Sequence, residues 1–181
     1  MHRLLIIGGS DAGISAALRA KEIDPGTEVT VVVADRFPNF SICGLPFYLS
    51  GEVTDWRTLA HRTTADIERE GIRLLLSHRA ESIDADLKTV RIKAEDGKEF
   101  DQSFDRLLVG TGAVSAAPPI AGLDLPGVFF LRWMEDSFAV HKYLTQNNPL
   151  SAAIIGGGYI GMEMADALAY RGMTVTVIET T

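Results

Sequence analysis

"SAAIIGGGYIGMEMADALAYRGMTVTVIE", residues 151–179, decides the fold. An apolar run of strand length, Ser151 to Ile155, stops at Gly156-Gly157-Gly158. A helical stretch follows as far as Tyr170, and Gly172 ends it. The β-branched run Thr174 to Ile178 then reads as a second strand, closed by the acid Glu179. Strand, glycine turn, helix and strand in about 30 residues predict a βαβ unit with two parallel strands.

The turn Gly156-Gly157-Gly158-Tyr159-Ile160-Gly161 assigns its glycines separate jobs. Gly156 permits the tight exit from the strand, Gly158 lets backbone approach a diphosphate, and Gly161 lets helix and strand pack closely. The diphosphate then lies at a helix N-terminus, where unpaired N–H groups point at it. Tyr159 and Ile160 open that helix. Glu179, about 20 residues past the turn, suits a ribose 2′-hydroxyl and repels a 2′-phosphate, so NADH is expected over NADPH. The stretch resembles the start of a Rossmann dinucleotide-binding unit.

The same pattern occurs earlier, as "HRLLIIGGSDAGISAALRAKEIDPGTEVTVVVAD", residues 2–35. Leu4 to Ile7 reads as a strand, "DPGTE" closes the helix, and Val29 to Val33 reads as the second strand. Gly8, Gly9 and Gly13 are kept, but Ser10 stands where the middle glycine would be; it is small enough for close approach. By strand length the terminal acid position falls near Val33, and Asp35 lies two residues beyond. Asp35 is the candidate ribose acceptor, and its neighbour Arg36 is counted with it in the nucleotide site.

Between the copies, "IRLLLSHRAESIDADLKTVRIKAEDGKEFDQSFDRLLVGTG" has short alternating runs broken by Asp-Ala-Asp and Asp-Gly. It predicts an antiparallel meander, ending in the strand Arg106 to Val109 and the turn Gly110-Thr111-Gly112. "AVSAAPPIAGLDLPG" is Pro- and Gly-rich and reads as a crossing between domains. Residues 132–148 predict a helix leading into the second unit. The expected division is a first nucleotide-binding domain over 1–115, a crossing linker over 116–127 and a second nucleotide-binding domain over 128–181. The fold class is α/β: a three-layer Rossmann-like domain with a meander, followed by the first βαβ unit of another.

Bulk properties narrow the function. With 46% apolar and 23% charged residues, the 181-residue chain can bury a globular core. A net charge of −7 speaks against a nucleic-acid backbone as partner. The apolar stretch at the N-terminus is too short for a membrane span, and a cytoplasmic protein is expected. His2, His61, His78 and His141 are scattered, so no metal site is expected. The single cysteine, Cys43 in "FSICGLPFYL" (residues 40–49), excludes an internal disulfide and is either packing or a reagent.

Nucleotide unit, lone cysteine in "CGLP", meander, "GTG" turn, Pro-rich crossing and second nucleotide unit, in that order, resemble the flavin-dependent pyridine nucleotide–disulfide oxidoreductases. The closest likeness is to the single-cysteine branch of coenzyme A disulfide reductases, persulfide reductases, NADH oxidases and NADH peroxidases. The resemblance implies FAD at the first unit and NADH at the second, with Ala80 contacting adenine. It also implies that Thr111 and Gly112 lie in the turn carrying the chain out of the FAD site. Cys43 matches the branch's catalytic cysteine beside the flavin. It would cycle through a mixed disulfide with a small thiol or through a sulfenic acid. A helix N-terminus, which "CGLPFYLSG" can supply, favours the thiolate.

Peroxidases and oxidases of the branch carry a histidine in the first glycine turn, where this chain has Asp11. A carboxylate there disfavours a neighbouring thiolate and cannot donate to a sulfenate, which weighs against peroxide or oxygen as acceptor. The coenzyme A-using members hold their ligand with an arginine on the first helix. Arg19 matches it, with Ser15 and Asn39 as polar neighbours, whereas Ile42 departs from an asparagine common in those enzymes. The expected activity is reduction of a small disulfide or persulfide. The alternatives are an NADH oxidase or peroxidase, or a nucleotide-binding module without chemistry. Members are roughly twice as long and homodimeric, so the chain reads as an N-terminal piece, expected to bind FAD weakly, turn over little and self-associate.

Overall fold

The protein is described here by a computed structural model, which defines residues 2–179. Two compact units are present: residues up to Phe40 with Ala60–Ala113, and Ser41–Leu59 with Val114 onward.

The first unit is built on a parallel sheet. β1 (Arg3–Ile7) leads through a glycine turn into α1 (Asp11–Ile23), and β2 (Glu28–Val32) returns beside β1. In this unit α3 (Thr64–Arg69) precedes β3 (Ile72–Leu75); the label α2 belongs to Leu45–Ser50 in the other unit. A capping box starts α3: Thr63 Oγ1 accepts from the Asp66 N–H at 3.2 Å, and the Asp66 carboxylate accepts from the Thr63 N–H at 2.9 Å. Three antiparallel strands follow, β4 (His78–Asp84), β5 (Thr89–Ala94) and β6 (Glu99–Ser103), and then β7 (Arg106–Val109). The parallel sheet runs in the order β3-β2-β1-β7, and the antiparallel sheet in the order β4-β5-β6.

Strand alternation makes two cores. Ile6, Val29, Val31 and Val33 turn toward Ile14 and Ala17 of α1. Leu5, Ile7 and Val32 turn the other way, toward Val90, Ile92 and Phe104 on the meander side. Helix, parallel sheet and meander thus form three layers. Each fully buried aliphatic side chain adds about 1.5–3 kcal/mol over its exposed state.

One segment departs from the expected meander. Ile72–Leu75 pairs in parallel with β2. Its continuous apolar run fits a strand covered on both faces better than an alternating one.

In the second unit, α4 (Met134–Asn147) precedes β8 (Ser151–Ile155), α5 (Tyr159–Tyr170) and β9 (Thr174–Ile178). β8 and β9 pair in parallel from Ser151 opposite Thr174 to Ile155 opposite Ile178. Residues 41–59, expected in the first domain, group with this unit instead. The reason is packing of α2: the Tyr48 ring lies edge-on to Phe138 and stacks on His141, and Arg171 Nη1 donates to the Leu49 carbonyl at 3.0 Å. The first unit ends at Ala113. No helix among the described residues is long and apolar enough to cross a membrane.

Candidate functional site

The two glycine turns have matching backbones. Ile7 pairs with Val32, and the Gly8 N–H donates to the Val32 carbonyl at 2.9 Å. Ile155 pairs with Ile178, and the Gly156 N–H donates to the Ile178 carbonyl at 2.8 Å. Gly8 and Gly156 have φ of 118° and 105°, a region that favours glycine. Ser10 caps α1 and Gly158 caps α5; their carbonyls accept from Ile14 and Met162 at 3.0 and 2.9 Å.

The last glycine of each turn is fixed by the strand exit. A Cβ on Gly13 would lie 1.8 Å from the Gly8 oxygen, and one on Gly161 would lie 1.9 Å from the Gly156 oxygen. No side chain fits either gap. By contrast, Cβ atoms built on Gly156 and Gly158 would meet nothing within 4 Å. Bare backbone and open space at a helix N-terminus fit a diphosphate. At the first turn the Ser10 hydroxyl caps no helix N–H, which leaves that end of α1 without a side-chain cap, although Asp11 sets an acid in its first turn where α5 has none.

The flanking residues distinguish the turns. In the second, Glu179 comes straight after β9 and accepts from the Gly157 N–H. In the first, the residue straight after β2 is Val33, whose methyl groups would lie 2.5 and 2.8 Å from a Cβ on Gly9. Asp35 lies two residues further on. Its Oδ1 accepts from the Phe37 N–H at 2.8 Å, and burial pushes its carboxyl above the usual range, against the pull of that hydrogen bond. Arg36 is exposed and paired with Glu95 at 2.7 Å.

Ala80 pairs with Ile92 in β4, just before a register shift that takes Glu81 out of the ladder. Thr111 and Gly112 are exposed and follow Gly110, whose carbonyl backs Gly8. Tyr159 is 93% exposed and Ile160 also faces solvent. Ser15 and Arg19 are exposed one helical turn apart on α1, on the face that begins with Asp11. Arg19 pairs with Glu22 at 2.7 Å.

Asn39 is brought to the head of that face but is only 3% exposed. Its Nδ2 donates to Asp11 Oδ1 at 3.0 Å, and its backbone N–H donates to the Gly9 carbonyl at 2.8 Å. Its Oδ1 is the one buried side-chain polar atom among the described residues without a hydrogen-bond partner. Nothing in the sequence signalled this burial, because Asp11 lies 28 residues away.

Cys43 lies in a single 3-10 turn, Ile42–Gly44, ahead of α2 (Leu45–Ser50). Its thiol is exposed, while Leu45, Tyr48 and Leu49 carry the packing. Of packing and reagent, exposure favours reagent. Among the described residues no group of acids, histidines and cysteine is arranged to hold a metal.

Comparison with known proteins agrees with this architecture. The family model described as pyridine nucleotide-disulphide oxidoreductase matches residues 2–181. A protein of Methanocaldococcus jannaschii named NADH oxidase is 35% identical over 179 residues, 98% of this chain and 40% of that protein. A Pyrococcus abyssi protein named NAD(P)H sulfur oxidoreductase (CoA-dependent) is 37% identical over 175 residues, 97% of this chain and 39% of that protein. Among solved structures, the reduced Bacillus anthracis CoADR-RHD aligns with a TM-score of 0.95 at 29% identity, covering 98% of this chain and 32% of its own. The NAD-dependent persulfide reductase from A. fulgidus gives 0.91 at 34% identity, covering 97% of this chain and 33% of its own. The chain spans about 40% of the length of the curated relatives it matches. Two glycine turns on parallel strands, a three-layer first unit and a match across residues 2–181 agree, and the chain belongs to the pyridine nucleotide-disulphide oxidoreductase family.

Proposed function

We propose that this chain is the nucleotide- and thiol-bearing part of an FAD- and NADH-dependent oxidoreductase acting on a small disulfide or persulfide. The single observation that carries the reading is an exposed lone thiol, Cys43, in a chain with two glycine turns that each lead into a helix. The relatives named for coenzyme A and persulfide substrates support the substrate class.

The residues divide the work. Gly9, Ser10 and Gly13 present backbone N–H groups to the diphosphate of FAD, Gly8 turns the chain out of β1 with its own N–H held by Val32, and Thr111 and Gly112 lie beside them. Gly158 and Gly161 do the same for NADH, Gly156 turns the chain out of β8 with its own N–H held by Ile178, and Glu179 accepts from the ribose. That carboxylate repels a 2′-phosphate, which favours NADH over NADPH. When bound, FAD supplies two-electron transfer from NADH toward sulfur. Cys43 as thiolate attacks one sulfur of the substrate disulfide. The new S–S bond joins it to half of the substrate, and the other half leaves as thiolate. Ser15 and Arg19, one turn apart on α1, offer a hydroxyl and a cation to a phosphate-bearing thiol such as coenzyme A.

The reaction is tested by following NADH consumption with coenzyme A disulfide in the FAD-reconstituted protein. Cys43→Ser is expected to abolish disulfide-dependent consumption and leave NADH binding intact. Unchanged disulfide reduction by Cys43→Ser would remove the thiol route.

A further inference from the structure

The two turns share backbone geometry but not the residue that follows the second strand. Glu179 faces Gly157 in one; Val33 faces Gly9 in the other. Val33 is 4% exposed and packs in the core that holds Ile6, Ile14 and Val31. Its backbone is tied on both sides: its N–H donates to the Leu75 carbonyl and its carbonyl accepts from the His78 N–H, each at 2.9 Å. It is therefore held in the position where a ribose-binding acid would stand, and it has no side-chain hydrogen-bonding atom to offer.

Asp35 does not fill that place. It lies two residues beyond, its carbonyl accepts from the Ser77 N–H at 2.8 Å, and its carboxylate turns back to Phe37. Nor does Asn39: its Oδ1 is buried, in a residue anchored to Gly9 and Asp11, and is not open to a ligand.

We infer that Val33 makes the first turn indifferent to the 2′ substituent of an adenine nucleotide, gripping it by the diphosphate without a carboxylate on the ribose. The second turn, with Glu179, requires a free 2′-hydroxyl. The inference rests on the proposed reading of the first turn as a nucleotide site. It extends the ligand class there to adenine nucleotides with hydroxyl, hydrogen or phosphate at the ribose 2′ position.

The test titrates the isotopically labelled chain with ADP and with 2′-deoxy-ADP. The amide resonances of Gly8, Gly9 and Gly13 report the first turn, and those of Gly157, Gly158 and Gly161 the second. At the first turn the two ligands are expected to bind within about twofold of each other. At the second, loss of a hydrogen bond to a carboxylate is expected to weaken 2′-deoxy-ADP about tenfold or more. Asp35→Asn is expected to leave first-turn affinity for ADP within twofold. Tenfold discrimination against 2′-deoxy-ADP at the first turn, or a tenfold loss of ADP affinity in Asp35→Asn, would overturn the inference and leave the nucleotide site standing. ADP that moves none of the first-turn amides would overturn both.

Discussion

Asn39 donates its side-chain amide to the Asp11 carboxylate at 3.0 Å, and it does so from a left-handed backbone with φ of 57°. Asparagine tolerates that conformation better than most residues. Its N–H on Gly9 and its carbonyl, which accepts from the His61 N–H at 2.9 Å, hold the loop after β2 against the glycine turn. Asp11 is thus a structural partner of a buried amide as well as a charge at the head of α1.

Asp11→Ala should therefore destabilise the chain beyond the loss of one exposed acid. It leaves the buried Asn39 amide unpaired, at a cost of about 1–3 kcal/mol. Asn39→Gly keeps the backbone conformation and removes the buried polar group with it, so it should cost less. Thermal unfolding of both variants checks the order. Equal or reversed losses would mean that the Asp11–Asn39 bond does not hold the loop.

Gly13→Ala would place a methyl group 1.8 Å from a backbone oxygen that has no flexible end to swing away. Overpacking of this kind costs about 1–3 kcal/mol, at about 2–4 °C of melting temperature per kcal/mol for a chain of this size. Gly26→Ala is the control. Its Cβ would meet only the Asp24 carboxylate, at 3.2 Å, and its effect should stay within about 0.5 kcal/mol. Gly161→Ala, at 1.9 Å from Gly156, should behave like Gly13→Ala.

His141 gives the second unit a pH dependence. Burial, with Arg171 adding repulsion, holds its imidazole below the ordinary value of 6.5. The unfolded chain takes up the proton first as pH falls, so acid favours unfolding. Stability should be constant well above pH 6.5 and decline below it. His141→Phe keeps an aromatic ring against Tyr48, stacked at 4.8 Å, and should flatten that decline in urea titrations at several pH values. An unchanged slope would assign the acid sensitivity to other groups.

What the sequence disclosed follows from local chemistry. The glycine turns, the β-branched strand Thr174–Ile178 and the strand Arg106–Val109 are read from period and punctuation, and they stand where expected. Ile72–Leu75 went to the parallel sheet because partner choice is long-range, although its unbroken apolar run carried the hint. The start of α3 carried a local signal too, the Thr63…Asp66 box, although no helix was expected there. Val33 as the counterpart of Glu179 was countable along the strand. The burial of Asn39 was not legible, since it depends on Asp11 and Gly9 in another turn. The grouping of residues 41–59 with the second unit was equally hidden, because the ring partners of Tyr48 are Phe138 and His141, about 90 residues away.

The central claim is that the first glycine turn binds FAD through its diphosphate. The most direct measurement is an equilibrium titration of FAD, by flavin fluorescence, into this chain and into Ser10→Asp. Aspartate at that position remains a good helix cap but sets a negative charge where the diphosphate belongs. The account predicts saturable binding of one flavin per chain, weakened tenfold or more in a folded Ser10→Asp. Binding that Ser10→Asp leaves unchanged, or no saturable binding at all, would contradict it.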